Sequence, residues 1–88
     1  MRWAVGLSSA AIRTLDHLPP RVVPAVIEFN YGPLADNPLR VGKPLRDDFA
    51  GIYGVHRGAY RVLYEIHEPT HSVTVIRVAG RAEAYRPR

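Results

Sequence analysis

The chain has 88 residues, a length typical of one domain, and we expect residues 1–88 to fold as a single unit. It contains no cysteine, which excludes disulfides, zinc–thiolate sites and thiol nucleophiles and favours a cytoplasmic location. The net charge is +4, and eleven of the twelve basic residues are arginine, so a polyanionic or acidic partner is expected. The first residues contain no long apolar run, so neither a signal peptide nor a membrane helix is predicted.

The first part of the chain predicts one strand and two helices. Residues 2–7 are short and apolar, as is typical of a strand, and Ser8 or Ser9 offers an N-cap for a helix of about three turns. The helix should end at the proline pair that follows. A second helix, antiparallel to the first, is predicted over residues 21–31. Its apolar side would be formed by Val22, Val26 and Phe29.

Residues 32–45, GPLADNPLRVGKPL, contain three prolines and two glycines, and this composition predicts a long loop. The loop would be ordered if Leu34, Leu39 and Leu45 pack inward. The apolar period then changes to two over residues 49–56, 59–67 and 72–80, which predicts three antiparallel strands. The fold class is therefore α+β in the order β-α-α-β-β-β, with a helical hairpin on one face of a small antiparallel sheet. The other face would meet solvent or a partner.

Arg61 lies in the middle of the second of these strands, where an arginine needs an explanation. The even positions from Tyr60 to Ile66 are apolar or aromatic and predict the core face, which leaves Arg61 on the open face. If Arg57 and Gly58 form a two-residue turn, Gly54 lies opposite Arg61 and His56 is its diagonal neighbour. Arg77 and Arg81 share a face with each other because their separation is even, and we infer that this is the same open face.

Simpler explanations exist for each residue. Arg61 could pair with Glu65 or Glu83 in a weak surface ion pair, and a histidine beside a turn is more often a surface residue than a catalyst. Tyr60 and Tyr64 are predicted to lie in the core. His17, His67 and His71 lack ligand spacing, and the sequence has no phosphate-binding glycine loop or nucleophile elbow. No metal or cofactor is predicted.

Several arginines with one histidine and a nearby tyrosine nevertheless form a coherent set for cleaving RNA. The substrate supplies its own nucleophile, the 2′-hydroxyl group. The protein must supply a base, an acid for the leaving 5′-oxygen, cations for the developing charge and an aromatic that orients a base.

The segments "NPLRVGKPL", "YGVHRGAYRVLYEI" and "VAGRAEAYR" resemble, in order and spacing, segments of RelE-type toxins of the RelE/ParE superfamily. The resemblance is strong in the second half and rests on pattern alone in the helices. It implies a toxin of a type II toxin–antitoxin system that cleaves messenger RNA in the ribosomal A site. It also implies an acidic antitoxin that neutralises the toxin in a hetero-oligomer.

The resemblance assigns roles to individual positions. Arg61 and Arg81 would clamp the scissile phosphate, His56 would transfer protons, and Tyr85 would stack on or orient a base. Position 54, basic in some relatives, is glycine here and has lost that charge. Further contacts with RNA are expected from Lys43, Arg57, Arg77 and Arg86, although Lys43 could be purely structural.

Two alternatives remain open from the sequence. A ParE-type toxin shares the fold but inhibits DNA gyrase through protein contacts. A decayed member would bind RNA or ribosomes without cutting, and Gly54 makes that alternative plausible.

Overall fold

The computed structural model describes residues 2–46 and 49–80. Within them, strands and helices follow in the order β1 (Ala4–Leu7), α1 (Ser9–Leu15), α2 (Val23–Tyr31), α3 (Pro33–Asp36), α4 (Pro38–Val41), β2 (Lys43–Pro44), β3 (Ile52–Arg57), β4 (Tyr60–His67) and β5 (Ser72–Gly80). The strands form one sheet in the order β1-β5-β4-β3-β2. The predicted α+β class is confirmed. The sheet is mixed, because β1 runs parallel to β5 while the other neighbours are antiparallel.

Helix α1 begins as predicted and ends earlier. The Ser8 side chain accepts a hydrogen bond from the Ala11 amide at 3.1 Å, which makes Ser8 the N-cap. The helix ends at Leu15, about two turns from its start and three residues before Leu18, the residue in which Pro19 disfavours helical geometry. Thr14 ties α1 to the sheet, since its hydroxyl oxygen accepts a hydrogen bond from the Val78 amide of β5 at 3.1 Å.

Helix α2 begins at Val23, and Pro24 lies in its first turn, where a missing amide hydrogen costs nothing. Val26 and Phe29 are buried as predicted, and Val22 packs partly against the same core. Side chains from α1, α2 and α3 meet the buried valines and tyrosines of the strands. The helices therefore cover one face of the sheet, and the other face is open.

The prediction of a loop over residues 32–45 was wrong. Helices α3 and α4 are single turns that each start at a proline, and β2 adds a two-residue edge strand. Proline interrupts helix interiors but suits first turns, so prolines that predicted a loop instead begin two short helices. Leu34 is fully buried and Leu45 half-buried, whereas Leu39 is 48% exposed and does not pack inward as expected.

The hairpin between β3 and β4 also differs from the prediction. Its two turn residues are Gly58 and Ala59, one position later than expected, and Gly58 has a φ of 58°. A positive φ at the first turn residue suits a type II′ turn, which explains the glycine there. Strand β3 starts at Ile52, three residues later than predicted, and Phe49 is 55% exposed.

The predicted core face of β4 is confirmed, because Tyr60, Val62 and Tyr64 are all buried. The Tyr64 hydroxyl donates a 2.6 Å hydrogen bond to the Pro38 carbonyl oxygen, which fastens α4 to the sheet. Among the described residues, none of the helices has the length and apolar character needed to cross a membrane.

Candidate catalytic face

The open face of the sheet collects basic side chains from four strands. In antiparallel pairs, residues directly opposite one another point to the same side of the sheet. His56 is opposite Arg61, Lys43 is opposite Gly54, and Arg77 is opposite Leu63, which itself lies on the same face as Arg61. The open face therefore carries one lysine, two histidines (His56 and His67) and two arginines within the described residues.

His56 and Arg61 are closer partners than the sequence predicted. The expected turn made them diagonal neighbours, but the shift of the turn to Gly58 and Ala59 places them directly opposite each other. Such pairs have their Cβ atoms about 4.5–5.5 Å apart, compared with about 7–8 Å for diagonal neighbours. An imidazole and a guanidinium can therefore contact one phosphate group from adjacent strands.

Arg77 reaches the open face because of an irregularity in β5. Leu63 pairs with Arg77, whereas the next residue, Tyr64, pairs with Val75, so Ile76 is an extra residue without a partner on β4. Strict alternation from buried Val75 would point residue 77 into the core. One extra residue reverses the faces that follow it, as in a β-bulge. The bulge therefore turns Arg77 outward, diagonally across from Arg61.

The guanidinium of Arg61 lies over Gly54. An ideal Cβ atom at position 54 would lie 3.4 Å from Arg61 Nη2 and 3.3 Å from a methyl carbon of both Leu45 and Leu63. Arg61 Nε is buried and has no hydrogen-bond partner among the described residues. A buried donor without a partner costs about 1–3 kcal/mol, so it needs an explanation. A Cβ atom at position 54 would therefore touch Arg61 and press on both leucines.

The alternative that Arg61 pairs with Glu65 is not supported. Among the described residues, the Glu65 carboxylate lies 3.8 Å from His67 Nε2, and Arg61 forms no ion pair with a described carboxylate. Glu83, the other predicted partner, lies outside the described residues. No described acid therefore neutralises the Arg61 charge.

Arg57 lies on the other side of the sheet from this cluster. It is opposite Tyr60, which faces the helices, and its guanidinium carbon lies 4.9 Å from the centre of the Phe29 ring. A cavity of about 330 Å³ opens beside it. The cavity is lined by Ala25, Glu28, Phe29, Pro33, Arg57 and Tyr60. The structure therefore separates Arg57 from the open face.

Tyr60 and Tyr64 are core residues, as predicted. Burial raises the pKa of Tyr60 despite the lowering effect of nearby Arg57, and burial raises the pKa of Tyr64 to about 12. The Tyr60 hydroxyl donates to the Ala25 carbonyl oxygen at 3.2 Å, on the helix side. Neither phenol is placed to act on a ligand at the open face.

The remaining predicted site residues, Arg81, Tyr85 and Arg86, lie outside the described residues. Lys43 is exposed on β2, at the edge of the cluster. Within residues 2–46 and 49–80, no three histidine or acidic side chains are arranged to hold a metal ion.

The sequence reasoning missed the part that Leu45, Gly54 and Leu63 play around Arg61. Only the register of β2 and β4 against β3 brings these positions together. A sequence offers one signal for it, a glycine in mid-strand, which often marks a close approach by another group.

Comparison with known proteins gives a consistent result. A family model described as "ParE toxin of type II toxin-antitoxin system, parDE" matches residues 6–85. Toxin RelG of Mycobacterium tuberculosis is 46% identical over 86 residues, which cover 98% of this chain and 99% of that protein. Toxin RelE of the same organism is 44% identical over 84 residues, covering 96% of this chain and 87% of its own length.

A solved structure agrees with these sequence matches. The toxin–antitoxin complex RelBE2 of M. tuberculosis contains a chain with a TM-score of 0.90 and 45% identity to this one, covering 93% of this chain and 94% of that chain. These three matches extend over most of the length of each relative. The chain therefore belongs to the RelE/ParE superfamily as a RelE-type toxin of a type II toxin–antitoxin system.

Proposed function

We propose that this toxin is a ribosome-dependent endoribonuclease that cleaves messenger RNA on the open face of its sheet, without a metal ion. One observation carries the proposal. His56 lies directly opposite Arg61 on a face that also carries Lys43 and Arg77. An imidazole, which can act as a general base, therefore lies beside a guanidinium, which can stabilise negative charge.

The reaction needs only groups of the kind that this face offers. The 2′-oxygen of the RNA attacks the adjacent phosphorus as His56 accepts its proton, and the bond from phosphorus to the 5′-oxygen breaks. The products are a 2′,3′-cyclic phosphate and a 5′-hydroxyl end, the latter completed by a proton from a general acid. Arg61 stabilises the negative charge that develops on the phosphate oxygens. From the resemblance, Arg81 would be a second clamp and Tyr85 would orient a base.

Charge supports ribosomal RNA and messenger RNA as ligands. The chain has a net charge of +4, and the described acid on the open face, Glu65, is next to His67. A face with excess positive charge attracts a polyanion and gains affinity from released counterions. Lys43 and Arg77 would hold the backbone on either side of Arg61, and Arg86 would extend the contact.

An antitoxin is the second proposed partner. The related M. tuberculosis toxin chain was solved in a toxin–antitoxin complex. By this likeness, an acidic antitoxin would bind the present toxin in a hetero-oligomer, neutralise its basic surface and keep it inactive in the cytoplasm. The complex would bring negative charge to the face where Arg61 carries a positive one.

A gyrase inhibitor is the second candidate function, because the matching family model is described as a ParE toxin. The curated relatives named RelG and RelE favour the ribonuclease. Two assays on the same protein separate these functions: cell-free translation with mapping of message ends, and supercoiling by purified gyrase. Inhibited supercoiling with intact messages would replace the ribonuclease proposal.

The ribonuclease proposal is tested with Arg61→Ala and a matched control, Arg13→Ala. Arg13 is exposed in the last turn of α1, away from the open face. Wild type and Arg13→Ala should cut messages on ribosomes, whereas Arg61→Ala should be slower on the order of a hundred-fold. Equal cutting by Arg61→Ala would overturn the proposed site.

A further inference from the structure

We infer that Gly54 is a positioning residue: its missing side chain creates the seat on which the Arg61 guanidinium lies, between Leu45 and Leu63. This inference rests on the proposed function for its effect on activity, but the seat itself is a property of the protein alone. It replaces the interpretation that position 54 has merely lost a charge.

The seat has an apolar frame on two sides. Leu45 follows edge strand β2, and Leu63 lies on β4 directly opposite Gly54. A methyl carbon of each lies 3.3 Å from the point where a Cβ at position 54 would be, and Arg61 Nη2 lies 3.4 Å from the same point. Three side chains from three segments therefore converge above one glycine. A Cβ at position 54 would press on both leucines, and a longer side chain would also compete with Arg61 for this space.

The frame also limits how Arg61 can meet water. Arg61 Nε is buried and has no hydrogen-bond partner among the described residues. A long side chain normally loses conformational freedom when it binds a ligand. The burial of Nε restricts that freedom before the RNA arrives, so Arg61 is preorganised for a phosphate.

The frame is held by contacts outside the site. The Leu45 amide donates to the Ile52 carbonyl oxygen at 2.8 Å, which fixes the end of β2 against β3. The segment before β2 is fastened by the hydrogen bond from Tyr64 to Pro38. Gly42 also packs tightly there, since a Cβ at that position would lie 2.4 Å from the Tyr64 hydroxyl oxygen. The short helices and β2 therefore support one wall of the seat.

The variant Gly54→Lys distinguishes two explanations of the glycine: that it positions Arg61, or that position 54 merely lacks a cation. If position 54 merely lacks a cation, the added lysine should raise the cleavage rate. If Gly54 seats Arg61, the lysine should displace the guanidinium and lower the rate at saturating ribosome concentration, towards the loss seen for Arg61→Ala. Gly54→Ala should lower it less, since the neighbours need to move by only a few tenths of an ångström.

Gly6→Lys is the matched control. Gly6 is opposite Thr74, which is opposite Glu65, so it lies on the same open face, and no described neighbour lies within 4 Å of its Cβ position. This variant adds the same charge without touching the seat and should cut at the wild-type rate. Thermal unfolding of each variant identifies any that fail to fold, and Gly54→Ala then replaces Gly54→Lys.

A double variant decides whether Gly54 acts through Arg61. Gly54→Ala added to Arg61→Ala should cause no further loss of rate, because the guanidinium whose position depends on Gly54 is already gone. Losses that multiply would overturn the inference, as would a gain of activity in Gly54→Lys.

Nuclear magnetic resonance of the toxin tests the position of Arg61 over Gly54 independently of any measurement of activity. Nuclear Overhauser contacts between the Gly54 α-protons and the Arg61 side chain are expected in wild type and in Gly6→Lys. If wild type cuts no message but shows these contacts, the proposed function is contradicted, whereas the inferred position of Arg61 over Gly54 is supported. If the contacts are missing, the seat is contradicted whatever the activity.

Discussion

His56 and Arg61 face each other directly across the β3–β4 pair, on the side of the sheet that the helices leave open. A turn at Gly58 and Ala59 fixes this register, and a shift of one residue would point His56 or Arg61 into the core. The pair combines a proposed general base with a cation that can stabilise negative charge. The proposed chemistry depends on this pair more than on the total positive charge.

His56→Ala should lower the rate of message cleavage on the order of a hundred- to ten-thousand-fold, because it removes the proposed general base. The binding of the toxin to ribosomes should change little, since Arg61, Lys43 and Arg77 remain. Single-turnover cleavage at saturating ribosome concentration measures the rate, and His17→Ala, in an exposed position after α1, is the control. Cleavage by His56→Ala at the wild-type rate would assign the proton transfer to another residue.

Arg77→Ala should weaken binding to ribosomes and leave the cleavage rate at saturation nearly unchanged. Arg77 is diagonal to Arg61 and is expected to contact a flanking phosphate. The slope of log affinity against log salt concentration should become shallower by about 0.7–0.9, the value for one phosphate contact. Arg13→Ala should retain the wild-type slope. An unchanged slope for Arg77→Ala would remove Arg77 from the RNA interface.

The stability of the toxin should fall as the pH rises through the range from 10 to 12. Burial raises the pKa of Tyr64 to about 12 from its ordinary value of 10.0, so the folded state favours the neutral phenol. The contribution of the neutral Tyr64 phenol to the free energy of unfolding is fully present below pH 10 and is lost as the pH approaches 12. The loss is roughly 2–3 kcal/mol. Urea unfolding at pH 8, 10 and 11 measures the free energy of unfolding.

Tyr64→Phe is the control for that prediction. The variant should be less stable at pH 8, because the Pro38 carbonyl oxygen loses its 2.6 Å hydrogen bond, at a cost of about 1 kcal/mol. Its stability should decline less steeply above pH 10. Some decline should remain, because burial also raises the pKa of Tyr60. An equally steep decline in both proteins would show that Tyr64 is not its source.

Local patterns in the sequence were enough to predict the strands that carry the site. Alternation placed Tyr60, Val62 and Tyr64 in the core and Arg61 on the open face, and the bounds of β5 agree with the prediction. Residue type also predicted a serine N-cap at position 8 or 9, and the structure places it at Ser8. These features depend on short-range preferences that a single sequence displays.

The structure differs from the prediction where two local conformations have similar energies, or where long-range contacts determine the conformation. Arg57-Gly58 and Gly58-Ala59 can each form a two-residue turn, and both leave Tyr60 on the core face, so alternation does not choose between them. Nothing in the run SVTVIRV marks Ile76 as the extra residue of a bulge. The contact of Arg61 with Gly54 depends on the register of three strands. Neither a turn propensity nor an alternating pattern specifies that register.

The most direct test of the central claim is the single-turnover cleavage of a messenger RNA on programmed ribosomes by wild type, Arg61→Ala and Arg13→Ala. The account predicts that wild type and Arg13→Ala produce the same 5′-hydroxyl ends at similar rates. Arg61→Ala should bind the ribosome but cut on the order of a hundred-fold more slowly. Cutting by Arg61→Ala at the wild-type rate would contradict the claim that the open face is the catalytic site.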